Sequence, residues 1–545
     1  MQASSALHAS FNALVVNHQV QRPAAARSYA PRRQHKQQQG SAAAQRAAGW
    51  PLAAVRADQA ADTADTAAIE LISEITRAVD QAHAAALQRN AAAALDGLAT
   101  GAGNELKHRV MASILDLQSG LLERETEVRL LLLAALCGEH LLLLGPPGTA
   151  KSELSRRLSK LTGGRYFERL LTRFSVPEEL FGPLSMRGLE NDQYVRQIDG
   201  YLPTAEVAFI DEIFKANSAI LNALLTLLNE RLFDNGNERI EVPLTCLVGA
   251  SNELPESEEL DALYDRFLIR RNVAQVSAAQ LGTLAKLAAG TLDEGDRMSS
   301  DDGGAAKGQV PELAMDDFRS TAGQAYGAVD VPESVIDLLT GVRNYLQDKC
   351  EPPVYVSDRR FMKAVKMLQV AAYADGRSAV NEYDCLLLEV VLGQRPDDAH
   401  KVKAYLLETI ASDPGLQQTE LVFLGLFGRA CRVLEAANPQ EVEEARRECA
   451  SLVELLDLRQ GGLAATLDGG FPELRATVWQ SEASVQAAVQ ALTPQMTENK
   501  KRAEDLLREA LLLQSALDKS VPAAVLERLL PKRYKQYQKG ISGRA

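Results

Sequence analysis

The chain has 545 residues, 46% hydrophobic and 24% charged, with a formal charge of −13. That length is too great for one core and sets about two to four domains, while no apolar run nears the ~18–20 residues of a membrane helix. The acidic balance argues against specific nucleic-acid binding, and the six cysteines (Cys137, Cys246, Cys350, Cys385, Cys431, Cys449) form neither a CxxC pair nor a zinc-ligand spacing.

Charge is uneven along the chain. Residues 1–57 hold seven Lys/Arg and no acid, and the first acid is Asp58. The remainder carries 52 basic and 72 acidic residues. An acid-free start rich in Ala, Ser, Gln and Arg has the composition of an organelle transit peptide. Val55-Arg56-Ala57 resembles a plastid processing site, so the expected location is the chloroplast stroma ahead of the mitochondrion. A disordered basic arm is the alternative.

Residues 58–103 are Ala-rich, with Ile69, Ile72, Ile75 and Val79 at helical spacing and glycines at the end. The pattern over 105–137 predicts a helix in two pieces, broken at Gly120. Leu141–Leu144 predicts a short buried strand, and 151–161 a helix. Strand-like runs follow at 207–210 and 244–250, with a helix over 219–232 between them. Short strands alternating with helices give a three-layer α/β domain with a mainly parallel sheet. Residues 290–310 are polar and predict a flexible loop. Helical patterns return at 331–347 and 359–392, then run from Ala404 onward, including a long stretch at 485–517. The tail 521–545 has six basic residues and one acid. It is either a solvated end or a contact for acidic protein, a membrane surface or RNA. The expected division is a transit peptide 1–57, an Ala-rich helical segment 58–103, a nucleotide core 104–275, a helical lid 276–400 and a helical C-terminal region 401–545.

After the first strand comes Gly145-Pro146-Pro147-Gly148-Thr149-Ala150-Lys151-Ser152. Phosphate binding needs a tight loop with inward backbone N–H groups, followed by a helix N-terminus. Gly145 and Gly148 allow close approach, Lys151 reaches the β- and γ-phosphates of ATP, and the Ser152 hydroxyl ligates Mg²⁺. The pattern departs at Ala150, where a second glycine is usual. About 60 residues later, Val207-Ala208-Phe209-Ile210 runs into Asp211-Glu212. Asp211 can hold the Mg²⁺ shell, and Glu212 can polarise the attacking water.

Further stretches carry a resemblance: Glu179-Leu180-Phe181-Gly182-Pro183, Gly200-Tyr201-Leu202-Pro203, Ile213-Phe214-Lys215, residues 219–231, Ala250-Ser251-Asn252-Glu253-Leu254-Pro255 and Leu263-Tyr264-Asp265-Arg266-Phe267. Residues 104–395 resemble an AAA+ ATPase of the MoxR group, most like its RavA-type branch, of which Ala150 is characteristic. The resemblance implies a P-loop AAA+ three-layer αβα core with a parallel sheet, an α-helical lid and an additional α-helical C-terminal region. It implies Asn252 as the sensor-1 residue on the attacking water or γ-phosphate. It implies Arg266 as an arginine finger on a neighbour's ATP, with Arg270 and Arg271 competing for the role. Ser357-Asp358-Arg359-Arg360 resembles the sensor-2 site, with Arg359 the better match, contacting the γ-phosphate across the domain boundary. Its alternative is a basic helix start capped by Ser357. Residues 184–201 resemble a helix-2 insertion, a hairpin projecting into a ring pore, where Tyr194 and Arg196 either touch a client or are solvated.

A finger acting in trans implies a homo-oligomer, usually a hexamer. The resemblance also implies an ATP-hydrolysing, chaperone-like remodelling or maturation factor for a protein client, with ATP and Mg²⁺ as cofactors and a von Willebrand A domain protein as partner. Two alternatives stand beside it. One is the motor subunit of a chloroplast metal chelatase, which the loop sequence fits poorly. The other is an ATP-dependent assembly scaffold without significant turnover, against which Lys151, Asp211, Glu212 and Asn252 all argue.

Overall fold

A computed structural model describes residues 52–96, 105–255, 257–289, 313–436 and 438–542. The transit-peptide reading (save 52–57) and the loop reading of 290–310 lie outside them. Residues 1–66 and 67–545 are separate units; everything below concerns the second.

The core is a five-stranded parallel sheet in the order β2-β3-β6-β1-β7. Its strands are β1 Leu141–Leu144, β2 Tyr166–Leu170, β3 Val207–Asp211, β6 Cys246–Ser251 and β7 Ile269–Asn272. A separate antiparallel hairpin joins β4 Leu232–Asn235 to β5 Glu238–Glu241. Successive side chains of a strand point to opposite faces. Leu141, Leu143, Val207 and Phe209 therefore pack with the helices Glu105–Gln118, Glu125–Leu136 and Lys151–Thr162. Leu142, Leu144, Ala208 and Ile210 pack with the helix Ser218–Glu230 on the other side. Two covered faces explain why these strands are continuous apolar runs.

The predicted break at Gly120 is present, with φ +73°. The predicted 219–232 helix is shorter: it ends at Glu230, Arg231 turns at φ +58°, and the chain continues as β4. The lid comprises Met315–Ala328, Glu333–Asn344, Asp358–Ala374, Glu389–Leu392 and Pro396–Ser412. That last helix crosses the expected 400/401 boundary, so lid and C-terminal region share it.

Residues 67–90 of the Ala-rich segment dock on the C-terminal bundle. They belong to the helix Leu52–Asp96, whose Ile75 and Val79 are buried among Phe423, Phe427, Leu456 and Leu507 of the C-terminal bundle. Arg89 pairs with Asp457 at 2.7 Å, and Arg508 with Asp80 at 2.9 Å. The bundle is built on two long helices, Pro439–Asp468 and Glu482–Asp518. The basic tail forms the helix Pro531–Ser542 and folds back on it. There Arg533 pairs with Glu509 at 2.7 Å and with Glu420 at 2.9 Å.

Candidate nucleotide site

The loop 145–152 leaves the carboxyl end of β1 and enters the helix Lys151–Thr162. Gly145 sits at φ +152°, and a Cβ there would lie 2.3 Å from the Val273 carbonyl oxygen. Only glycine fits against the strand end. Lys151 is 8% exposed, and its Nζ donates to the carbonyls of Gly145 and Pro146 at 2.8 Å each. Burial pulls its pKa below the usual lysine value, opposed by the charges of Asp211 and Glu212. Thr149 Oγ1 donates to the Pro146 carbonyl at 3.0 Å and tightens the turn. Ser152 stands half-buried in the first helical turn. Ala150 adopts φ 65°, ψ 21°, the left-handed region. An L-residue with a Cβ is strained there by roughly 1–2 kcal/mol. The loop thus keeps the glycine conformation without the glycine. Ala150→Gly is expected to stabilise the fold by about 0.5–1 kcal/mol, net of the added unfolded-state entropy. A denaturant midpoint that falls would contradict the strain.

β6 lies between β1 and β3 in the sheet, so its end separates the two motif-bearing strand ends by about 5 Å on each side. Gly145 N donates to Ser251 O at 2.9 Å, which ties the loop to β6. Asn252 follows directly and is exposed at that edge. Asp211 ends β3, and one of its carboxylate oxygens accepts the Glu212 N–H at 3.0 Å. Glu212 is itself left-handed, at φ 52° and ψ 44°, and its carboxylate meets Lys215 Nζ at 3.4 Å. Lys151, Asn252, Asp211 and Glu212 therefore share one sheet edge, with hard oxygen donors at Ser152 and Asp211 suited to Mg²⁺.

The three arginine-finger candidates separate clearly. Arg270 is buried, stacks 3.7 Å from the Tyr264 ring centroid and donates to the carbonyls of Tyr264, Phe267 and Gly393. Burial, then the neighbouring Arg360 charge, pushes its pKa down to about 9. Arg271 pairs with the buried carboxylate of Glu127 at 3.1 Å. Of the three, Arg266 keeps capacity: Nη1 donates to Ala262 O at 3.2 Å, but its buried Nε has no partner among the described residues. Burial and the charge of Arg359 lower the Arg266 pKa.

Ser357 caps the helix Asp358–Ala374, accepting from Arg360 N. Arg360 is fully committed: it bonds Asp265 at 3.1 Å and four backbone carbonyls, including Val391 O at 2.7 Å. Arg359 makes no hydrogen bond or ion pair among the described residues. One turn further on, Lys363 pairs at 2.5 Å with Glu139, and Glu139 precedes β1. Arg360 binds Asp265 and the carbonyls of Phe267 and Leu268, so this first turn of the lid helix, with Arg359, lies by the amino ends of β1 and β7 where Arg266 sits, whereas the loop lies at the carboxyl end.

The 184–201 insertion is a hairpin, bridged at Leu184 and Arg196, with a short helix Met186–Glu190 toward its tip. Arg196 is not free for a client, since it pairs with Glu178 at 3.1 Å and donates to Gly182 O at 2.9 Å. Tyr194 and Met186 are exposed. Sequence reasoning missed Phe174, 92% exposed on the turn after β2. That turn is held by hydrogen bonds: Thr172 N donates to Ser175 Oγ at 3.0 Å, and Asn217 Nδ2 to Ser175 O at 2.8 Å. It also missed Arg124, a buried guanidinium that donates to Thr149 O within the loop. The only local signal was an arginine just before an apolar helix.

A parallel sheet in this order, a phosphate loop after β1, an acid pair after β3, an Asn after β6 and a helical lid define a P-loop AAA+ ATPase. Residues 108–313 match the MoxR domain in the MoxR-vWA-beta-propeller ternary systems, and residues 334–406 match an AAA lid domain. The chain is 40% identical over 356 residues to uncharacterized protein MJ0079 of Methanocaldococcus jannaschii, covering 65% of this chain and 87% of that one. Uncharacterized protein MJ0812 of the same organism is 39% identical over 310 residues, 56% of this chain and 78% of that one. Chaperone MoxR1 of Mycobacterium tuberculosis is 28% identical over 176 residues, 31% of this chain and 45% of that one. The chain belongs to the MoxR-type AAA+ ATPases.

Proposed function

We propose that this chain hydrolyses ATP in a homo-oligomeric ring, hexameric as its RavA-type resemblance implies, and uses the energy to remodel or mature a protein client. One observation carries the reading. Lys151, Asn252, Asp211 and Glu212 share the carboxyl edge of the sheet, while Arg266 and Arg359, which form no ion pair among the described residues, sit at the amino edge. Two cations set away from the chain's own loop are suited to the phosphates held by a neighbour. Lys151 and the loop N–H groups bind the phosphates, Glu212 orients the water, and Asn252 fixes it. Ser152 and Asp211 would hold Mg²⁺, which neutralises phosphate charge. Exposed Phe174, Met186 and Tyr194 are the apolar surface offered to the client. The matched domain's name suggests a von Willebrand A domain partner, and the acid-free start a chloroplast location.

The test is phosphate release from ATP by the purified chain with Mg²⁺. Release that Lys151→Ala abolishes is the expected result. Absence of release from the intact assembly, with nucleotide bound, would favour the scaffold reading.

A further inference from the structure

The helix Glu125–Leu136 touches the phosphate loop at its start and the C-terminal bundle on its side. Arg124, its N-cap, is 5% exposed. Its guanidinium donates to Thr149 O at 3.1 Å and to Ala274 O, beyond β7, at 2.8 Å. Within the next five residues, Thr126 Oγ1 meets Ser481 Oγ at 3.3 Å and Arg129 Nη1 donates to Val478 O at 2.7 Å. Nine of the helix's 12 residues are buried. A helix enclosed on most of its circumference shifts as a unit rather than bending.

Residues 477–481 turn between the helices Pro472–Arg475 and Glu482–Asp518 and are wedged into the ATPase. Trp479 is 1% exposed, and its Nε1 donates to Ala371 O of the lid at 2.9 Å. Asp375 of the lid accepts from Thr477 Oγ1 at 2.9 Å and from Val478 N at 3.0 Å. Lys107 of the core donates to Ala476 O at 2.6 Å. One short segment thus grips core and lid together and continues straight into a 37-residue helix.

We propose that residues 477–481 position the phosphate loop and report its occupancy to the C-terminal helical hairpin, with Arg124 the contact on the loop side and Arg129 and Trp479 the contacts on the hairpin side. The proposal rests on the nucleotide-site reading above. When loop N–H groups turn onto phosphate oxygens, the adjoining carbonyls turn with them, and Thr149 O is the one Arg124 holds. The start of the helix follows, and Thr126 and Arg129 carry the shift to residues 477–481. Binding linkage is reciprocal, so whatever loads the hairpin changes nucleotide affinity by the same factor. Arg129 and Trp479 are positioning residues; neither touches nucleotide.

The chain has two tryptophans, Trp50 and Trp479. In a Trp50→Phe background, Trp479 emission is followed while the full chain is titrated with Mg·ADP and Mg·ATPγS. The expected result is a saturable emission change with the midpoint that calorimetry gives for nucleotide binding. Arg129→Met in the same background is expected to lose that response and to shift KM for ATP more than kcat, by about fivefold or more. Thr126→Val removes one hydroxyl, leaves Ser481 to cap the helix Glu482–Asp518, and serves if Arg129→Met does not fold; its response should weaken likewise. Nucleotide bound in calorimetry with silent Trp479 overturns this proposal alone, as does an unchanged response in the uncoupling variants. No nucleotide binding at all overturns the site reading as well.

Discussion

Glu212→Gln is expected to bind ATP as the parent does and to turn it over about 10²–10⁴-fold more slowly, the usual worth of a positioned general base. The amide keeps the shape of the side chain and leaves the Glu212 N–H to Asp211 bond in place. It removes the charge that polarises water and the 3.4 Å ion pair with Lys215. Lys215 is more than a third exposed, so losing that pair costs little stability, and the thermal midpoint should barely move. The strained backbone of Glu212 points the same way: a non-glycine residue is held in the left-handed region only where its surroundings enforce it. Lys151→Ala has the contrasting signature. It removes the one ammonium aimed into the loop, so nucleotide binding itself should collapse. Calorimetry with a slowly hydrolysed analogue and a phosphate-release assay separate the two variants. Parental turnover in Glu212→Gln would remove Glu212 from the mechanism.

The parts of this site legible in the sequence are local. A glycine-rich turn between an apolar strand and a helix, and an apolar strand ending in two acids, are patterns a few residues long. β1 and β3 are buried on both faces and announce themselves as apolar runs. β7 was illegible because its sequence, Ile-Arg-Arg-Asn, looks polar. Arg270 is buried there only because backbone carbonyls and the Tyr264 ring receive it, and Arg271 is half-buried against Glu127. The same fact separates the three finger candidates. Three arginines within six residues are equivalent on paper, and only tertiary bonds show that two are already committed. β2 is an edge strand with alternating exposure, so it carries no continuous apolar signal. The docking of the 67–90 segment onto the C-terminal bundle joins residues such as His83 and Glu504, 421 positions apart. No periodicity in either stretch names the other.

Arg266→Ala and Arg359→Ala should each lower turnover steeply, on the order of 10³-fold for a true finger, and mixing experiments decide whose phosphate each one serves. In the proposed ring, a site would be completed by Glu212 of one subunit and the cations of the next. Arg266→Ala mixed equally with Glu212→Gln leaves roughly one interface in four with both parts intact, so about a quarter of parental activity should return. Arg359→Ala mixed with Glu212→Gln should recover similarly. The discriminating pair is Arg266→Ala with Arg359→Ala. If Arg359 served its own chain's nucleotide, roughly a quarter of the interfaces would again be complete. Arg360 on Asp265 and Phe267 O, and Lys363 on Glu139, hold the start of the lid helix at the strand ends opposite the loop. Under the proposed reading both cations serve the same neighbour, every interface in the mixture lacks one of them, and no recovery is expected. Recovery in that mixture would return Arg359 to its own nucleotide and require the lid to move away from the β1 start during turnover.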